Sequence, residues 1–192
     1  MAFVIVFACG CTDRRQRAIE LNNEGVRLMD TFRPDSMDMA LALFDKAIAL
    51  DSMYGMAYAN KVECMIRLNR RPETIHIIKR YIQIADSRFN RMEGLFALGR
   101  TYDIMGDSVK ADCYFRKALD MEPEVMKEVH GDLYKEFDFV LIKHLLGMDK
   151  DAEERFGWLQ KKYKDELDST GWNFLRDILK VERRALLKKD LP

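Results

Sequence analysis

The sequence predicts an all-α fold of stacked antiparallel helix pairs, and three observations carry that expectation. Proline is scarce (4 in 192 residues) and glycine modest (10), while Leu, Ala, Met, Lys, Arg and Glu dominate; straight side chains lose little rotamer freedom in a helix, so long helices are favoured. No period-two alternation runs for more than a few residues, so no sheet is expected. Segments 40–51, 74–85 and 111–122 align with one another, placing Phe44, Ile78 and Phe115 at equivalent positions 34 and 37 residues apart. A period in the thirties marks a helical-repeat architecture.

Composition also bounds function. With 48% hydrophobic and 33% charged residues the chain is a globular one, long enough to bury a core. Lys plus Arg (32) balances Asp plus Glu (32), so no net field draws the molecule to nucleic acid or to an acidic membrane surface, and nucleic acid is not an expected partner.

The first eleven residues, MAFVIVFACGC, form an uncharged apolar run ending in small residues, after which Thr12, Asp13, Arg14, Arg15 and Gln16 are abruptly polar. Such a contrast marks a targeting segment. The Ala8-Cys9-Gly10-Cys11 end resembles the lipobox of bacterial lipoproteins, which implies that Cys11 receives a diacylglycerol. No Lys or Arg precedes the run, and at about seven residues it is too short to cross a hydrocarbon core of about 30 Å as a helix. Two other readings of these residues are a packed apolar N-terminus, and a Cys-x-Cys pair with metal or redox chemistry. With the lipid, residues 1–11 are a signal segment, 12–17 a short tether, and the protein sits at the bacterial envelope. One acid followed by two arginines after Cys11 favours an outer-membrane lipoprotein facing the periplasm.

Residues 18–123 hold three repeat units. The first carries Gly25, Leu28, Ala40, Phe44 and Ala47, with about three extra residues in its turn near Pro34, where Asp35 or Ser36 is expected to cap the second helix. The second keeps the pattern with larger side chains, through Tyr58, Met65, Asn69, Thr74, Ile78 and Tyr81, with Val62 where the others are small. The third is clearest: Leu98, Gly99, Tyr102, Gly106, Asp107, Ala111, Phe115, Ala118 and Pro123. Gly99 and Ala111 are small where two helices approach closely, Tyr102 and Phe115 fill the space between helices, Gly106 permits the turn, and Pro123 is expected to end the second helix.

These residues resemble the signature of the tetratricopeptide repeat (TPR) family. The resemblance implies a right-handed α-solenoid that binds a protein or peptide in a concave groove without catalysis; the alternative expectation is a structural or assembly subunit of an envelope complex that uses its convex face or capping helix. By alignment, the groove-facing positions of the first helices are Asn22, Val26 and Met29, then Ala59, Asn60, Glu63 and Ile66, then Glu93, Phe96, Arg100 and Asp103. Met29, Ile66 and Phe96 are expected to offer apolar contact, and Asn22, Asn60, Glu63 and Arg100 hydrogen bonds. Of the side chains with which some family members clamp a C-terminal carboxylate, only Asn60 agrees, so that ligand is not expected.

A diverged fourth pair is expected over 124–168, with one long helix from about residue 124 to 146, a turn at Gly147, and a helix containing Ala152, Phe156, Leu159 and Tyr163. Beyond it, residues 169–192 place Trp172, Leu175, Ile178, Leu179, Val181, Ala185 and Leu186 largely on one face. A solenoid must cover its last apolar face, so this segment is expected to be a cap.

Sites for chemistry are not expected. His76, His130 and His144 share no metal-binding spacing, and there is no phosphate loop, nucleophile elbow or Cys-x-x-Cys. Cys64 and Cys113 are expected to pack as small apolar residues. No cofactor or metal is implied. The basic residues Arg176, Lys180, Arg183, Arg184, Lys188 and Lys189 read as a solvated face.

Overall fold

The computed structural model describes residues 5–31 and 33–181, and these residues form helices and short turns with no strand. The expected all-α class and the helix pairs are present. The chain divides into two units, residues 1–86 and 87–192.

The first unit pairs α1 (Ile5–Met29) with α2 (Pro34–Leu50) and α3 (Gly55–Arg67) with α4 (Arg71–Ile84). Small residues let α1 and α2 approach: a Cβ on Gly25 would stand 2.6 Å from Cε1 of Phe44. Around that contact Met29, Met37, Ala40, Leu41, Cys64 and Met65 form one buried cluster, and Ala18, Ala47 and Ala57 form a second. Residues 12–17, expected as a tether, belong to α1 instead. Arg15 forms an ion pair with Asp51 and lies 4.5 Å over the Tyr54 ring, tying this stretch to the α2–α3 turn. The α2 cap also differs from expectation. The helix starts at Pro34 after an extended Arg33, with no side-chain cap, because proline presets φ and lacks an N–H that the first turn leaves unbonded anyway.

The second unit contains α5 (Arg88–Ile104) and α6 (Ser108–Leu119), a short α7 (Glu122–Glu128), the pair α8 (Leu133–Leu145) and α9 (Asp149–Lys162), and α10 (Ser169–Leu179). Gly99 meets Phe115 even more closely than Gly25 meets Phe44. The single long helix expected over 124–146 is two helices. Gly131, at φ +93°, breaks it, and Asp132 starts α8 by accepting a hydrogen bond from the Lys135 N–H at 3.2 Å. Pro123 does not end α6, which stops at Leu119; it occupies the first turn of α7. Glu128 at the end of α7 accepts the Arg88 N–H at 3.0 Å, satisfying a donor that the start of α5 leaves open.

Phe139, Ile142 and Leu145 of α8 join the core of α5 and α6, while Leu133, Phe137 and Val140 face a second core with Phe156, Leu159 and Tyr163. Trp172, Leu175 and Leu179 of α10 close that second core, and the Phe156 and Trp172 rings meet edge-on at 5.9 Å. The expected capping helix is therefore seen over 169–179, with Asp168 as its N-cap. Residues 182–192, with Ala185, Leu186 and the basic residues beyond Lys180, lie outside the described residues.

Three of the pairs are closed by one and the same turn. Leu68, Met105 and Leu146 end the first helix; Asn69 (φ 61°), Gly106 (φ 87°) and Gly147 (φ 73°) take the left-handed conformation; Arg70, Asp107 and Met148 precede the second helix. In each, the residue after the left-handed one donates back five positions: Arg70 to Met65, Asp107 to Tyr102 and Met148 to Lys143, all at 2.9 Å. The left-handed residue itself donates back three, Asn69 to Ile66, Gly106 to Asp103 and Gly147 to His144, and the two bonds satisfy carbonyls that a helix end otherwise exposes.

Candidate functional site

Within the first unit, α1 and α3 are the first helices of successive pairs, and polar side chains join them. Asn60 donates from Nδ2 to Oδ1 of Asn22 at 2.8 Å, and Asn22 is 2% exposed. One turn along α3, Arg67 Nε donates to Glu63 at 2.9 Å, both side chains being about one-third exposed (31% and 37%). Beyond them, Arg70 pairs with Asp38 at 2.7 Å and Lys61 with Asp45 at 2.5 Å. The apolar residues expected to line this face do not. Met29 (6% exposed) packs with Phe44 and Cys64, and Ile66 (9%) is also buried. Their phase on the helix turns them inward, leaving Asn60 and Glu63 with the apolar Val26 and Ala59 as the half-exposed residues of this face.

Within the second unit, Phe96 is likewise a core residue, its ring 5.9 Å from that of Phe115. The Arg100 guanidinium lies 5.9 Å over Phe96, a cation–π geometry. Facing α5, Asp138 of α8 has an altered carboxyl. Burial pushes it up to about 7, the Glu93 carboxylate adds to the rise, the Arg100 cation opposes it, and Asp132 adds to it. Lys135 Nζ sits 5.2 Å over Phe89.

Between α8 and α9 the second unit buries a charge. Glu136 has no exposed surface and accepts from Lys162 Nζ at 2.5 Å and from Tyr163 OH at 2.6 Å, with Arg155 Nη2 at 3.6 Å. The Lys162 ammonium is stabilised as a cation by these partners against its own burial, and burial followed by the bond to Glu136 raises the Tyr163 hydroxyl. Trp158 lies under Arg155 (4.3 Å) and Lys162 (4.8 Å). His144 bridges Asp149, at 2.9 Å from Nδ1, and the Val181 carbonyl, at 3.1 Å from Nε2.

The cysteines divide. Cys64 is buried, donates to the Met37 carbonyl at 3.4 Å, and burial pushes its thiol up to about 11. Cys113, expected to pack, is exposed; it sits two residues from Ala111 and Phe115, on the opposite side of α6. The Cys11 side chain lies outside the described residues, and no described helix is long and apolar enough to cross a membrane. Among the described residues, no group of three or more His, Cys, Asp or Glu side chains is placed to hold a metal ion.

No family model matches the chain, and no curated protein matches it. Among solved structures it is similar to YrrB, described as a TPR protein with an unusual peptide-binding site. The identity is 16%, over 97% of this chain and 94% of that one, with a TM-score of 0.48.

Sequence reasoning placed Asn22, Asn60, Glu63 and Arg100 on the first helices, and the structure joins Asn22 to Asn60. It did not single out Glu136, Asp138 or Lys162, and it named His144 only among histidines without metal-binding spacing. Lys162 lies 26 residues from Glu136, and Val181 lies 37 from His144, beyond any local spacing rule.

Proposed function

We propose that this protein is a non-catalytic interaction scaffold of the TPR type. It takes a protein or peptide segment along the first helices of its pairs and is held at the bacterial envelope by a lipid on Cys11. The observation that carries the binding reading is the Asn22–Asn60 bond. Two polar side chains occupy the meeting of α1 and α3, where apolar packing would be the cheaper filling, and Asn60 is only half-buried. Its donor is committed to Asn22, so the side-chain oxygen of Asn60 remains to accept from a ligand N–H. Glu63 and Arg67 further along α3 bond to each other and continue the polar character of this helix beside Asn60, in keeping with an extended peptide as the ligand.

Affinity capture with Asn60→Ala combined with Glu63→Ala tests this. A partner held by the parent protein and lost by the variant, with unchanged thermal stability, supports the groove; equal capture sinks it. Mass spectrometry of the protein from cells tests the anchor, since a lipid-free Cys11 would remove the envelope assignment. Turnover abolished by one carboxylate substitution would replace the scaffold reading with an enzyme.

A further inference from the structure

We infer that the end of the first unit at which α1 begins is a membrane-contacting surface, with Met53 and Met56 inserted among lipid headgroups. This inference rests on the lipid anchor at Cys11. The α1 helix is continuous from Ile5 to Met29, so the Cys11 backbone stands only four residues, about 6 Å along the axis, before Arg15. Arg15 is fixed to the folded body by its ion pair with Asp51 and by stacking on Tyr54. No flexible spacer separates the lipid from the fold. A chain attached in this way cannot hold its body clear of the bilayer.

What that end presents suits an interface between water and lipid. In antiparallel pairs the start of α1, the end of α2, the start of α3 and the end of α4 lie together. Met53 and Met56, in and just after the α2–α3 turn, are 58% and 54% exposed, the unbranched apolar side chains best able to settle among disordered headgroups. The turn that carries them is stiffened, because the Met53 N–H donates to Asp51 Oδ1 at 3.0 Å and Tyr54 N–H to the Asp51 carbonyl at 3.1 Å. Arg80 of α4 reaches the Met53 sulfur at 4.0 Å, which places its cation beside the methionines. Arg14 is exposed near the start of α1. Against these stand Asp13 and, just past the end of α4, Asp86, both exposed, and Asp51, which is spent on Arg15. The balance is near neutral, so charge neither repels nor holds the headgroups and the exposed methionines supply the contact. The surface therefore orients an already anchored protein.

The test supplies the anchor chemically, so that it reads the surface whether or not the cell adds a lipid. Full-length protein carrying Cys9→Ser and Cys113→Ser is coupled through Cys11 to a maleimide lipid in vesicles of phosphatidylethanolamine and phosphatidylglycerol. Backbone hydrogen exchange over residues 51–57 is compared with that of the uncoupled protein. The expected result is slowing on the order of tenfold on vesicles, abolished by Met53→Asp with Met56→Asp and unaccompanied by change in the second unit. Equal exchange in both states overturns the inference, as does protection that survives the double substitution. Protection that appears in concentrated soluble protein without vesicles would assign the patch to a second copy and overturn it as well. Failure of lipidation in cells is read separately, by the mass of the native protein.

Discussion

Gly25 and Phe44 are in contact so close that a single added methyl on the glycine would lie 2.6 Å from the ring. Gly99 and Phe115 repeat the relationship in the second unit. The members are 19 residues apart in the first case and 16 in the second, a difference taken up at the start of α2, which begins ten residues before Phe44 where α6 begins seven before Phe115. At the same 16-residue spacing the other two pairs carry Val62 with Ile78 and Val140 with Phe156, all buried. A larger first member goes with a smaller second one in the Val62 pair, so helix separation is held while its composition drifts.

Gly99→Ala is accordingly expected to destabilise the protein by about 1–2 kcal/mol, since overpacking of up to about 3 kcal/mol outweighs the helix-propensity gain of about 1 kcal/mol. Gly157→Ala is the control. Its Cβ would enter open space, so only the propensity gain remains and stability rises by up to about 1 kcal/mol. Urea unfolding of the two variants checks the opposite signs.

The buried Glu136 gives a graded prediction. Glu136→Ala strips the acceptor from Lys162 and Tyr163 and is expected to cost about 3 kcal/mol or more, because two polar groups lose their buried partner. Replacing all three with Leu, Met and Phe is expected to fall close to the parent, as charge and desolvation leave together. Chemical denaturation of the single and triple variants measures the gap. A triple variant as unstable as Glu136→Ala would rule out this account.

Asp138 makes stability depend on pH in a direction opposite to most carboxylates. Its folded carboxyl is raised to about 7, above an unfolded value of about 3.9. The neutral form is therefore the one the fold prefers. Its contribution is full below pH about 4 and is lost as pH rises towards about 7, with a slope of at most about 1.4 kcal/mol per pH unit. Asp138→Asn is expected to flatten that decline, which thermal melts between pH 5 and 8 would show.

Thiol labelling should separate Cys113 from Cys64. An alkylating reagent at pH 8 is expected to modify exposed Cys113 within minutes in the native state. Cys64, buried with its thiol pushed up to about 11, should react only after unfolding. Peptide mapping with and without urea distinguishes the two.

The parts of this fold that were legible in the sequence are those in which one residue type has one structural use. Gly99 opposite Phe115, Gly106 in the turn and the Trp172–Leu179 stripe of α10 could each be read because size, φ and periodicity leave a local trace. The break at Gly131 was missed because the helical pattern of α8 is strong enough to be extended backwards through it. Pro123 was assigned to the end of a helix when it starts one, since the same fixed φ suits both places. Met29, Ile66 and Phe96 were placed on the groove by alignment, but a modest rotation of a helix is enough to carry a side chain from the accessible face into the core. Asp138 and Glu136 could not be singled out among 32 acidic residues, because what sets them apart is desolvation by segments distant in sequence.

The repeated turn after α3, α5 and α8 has a kinetic consequence. A closure of three residues, with two backbone bonds made as soon as the chain reverses, asks for little loop entropy. Most of what each helix touches first is its own neighbour in sequence. Such a chain has low contact order, and its hairpins are expected to form early and independently, on the microsecond-to-millisecond scale of locally connected helical proteins. The slower event in folding would then be the seating of Glu136 beneath Lys162, where a charge must leave water before its partners are in position.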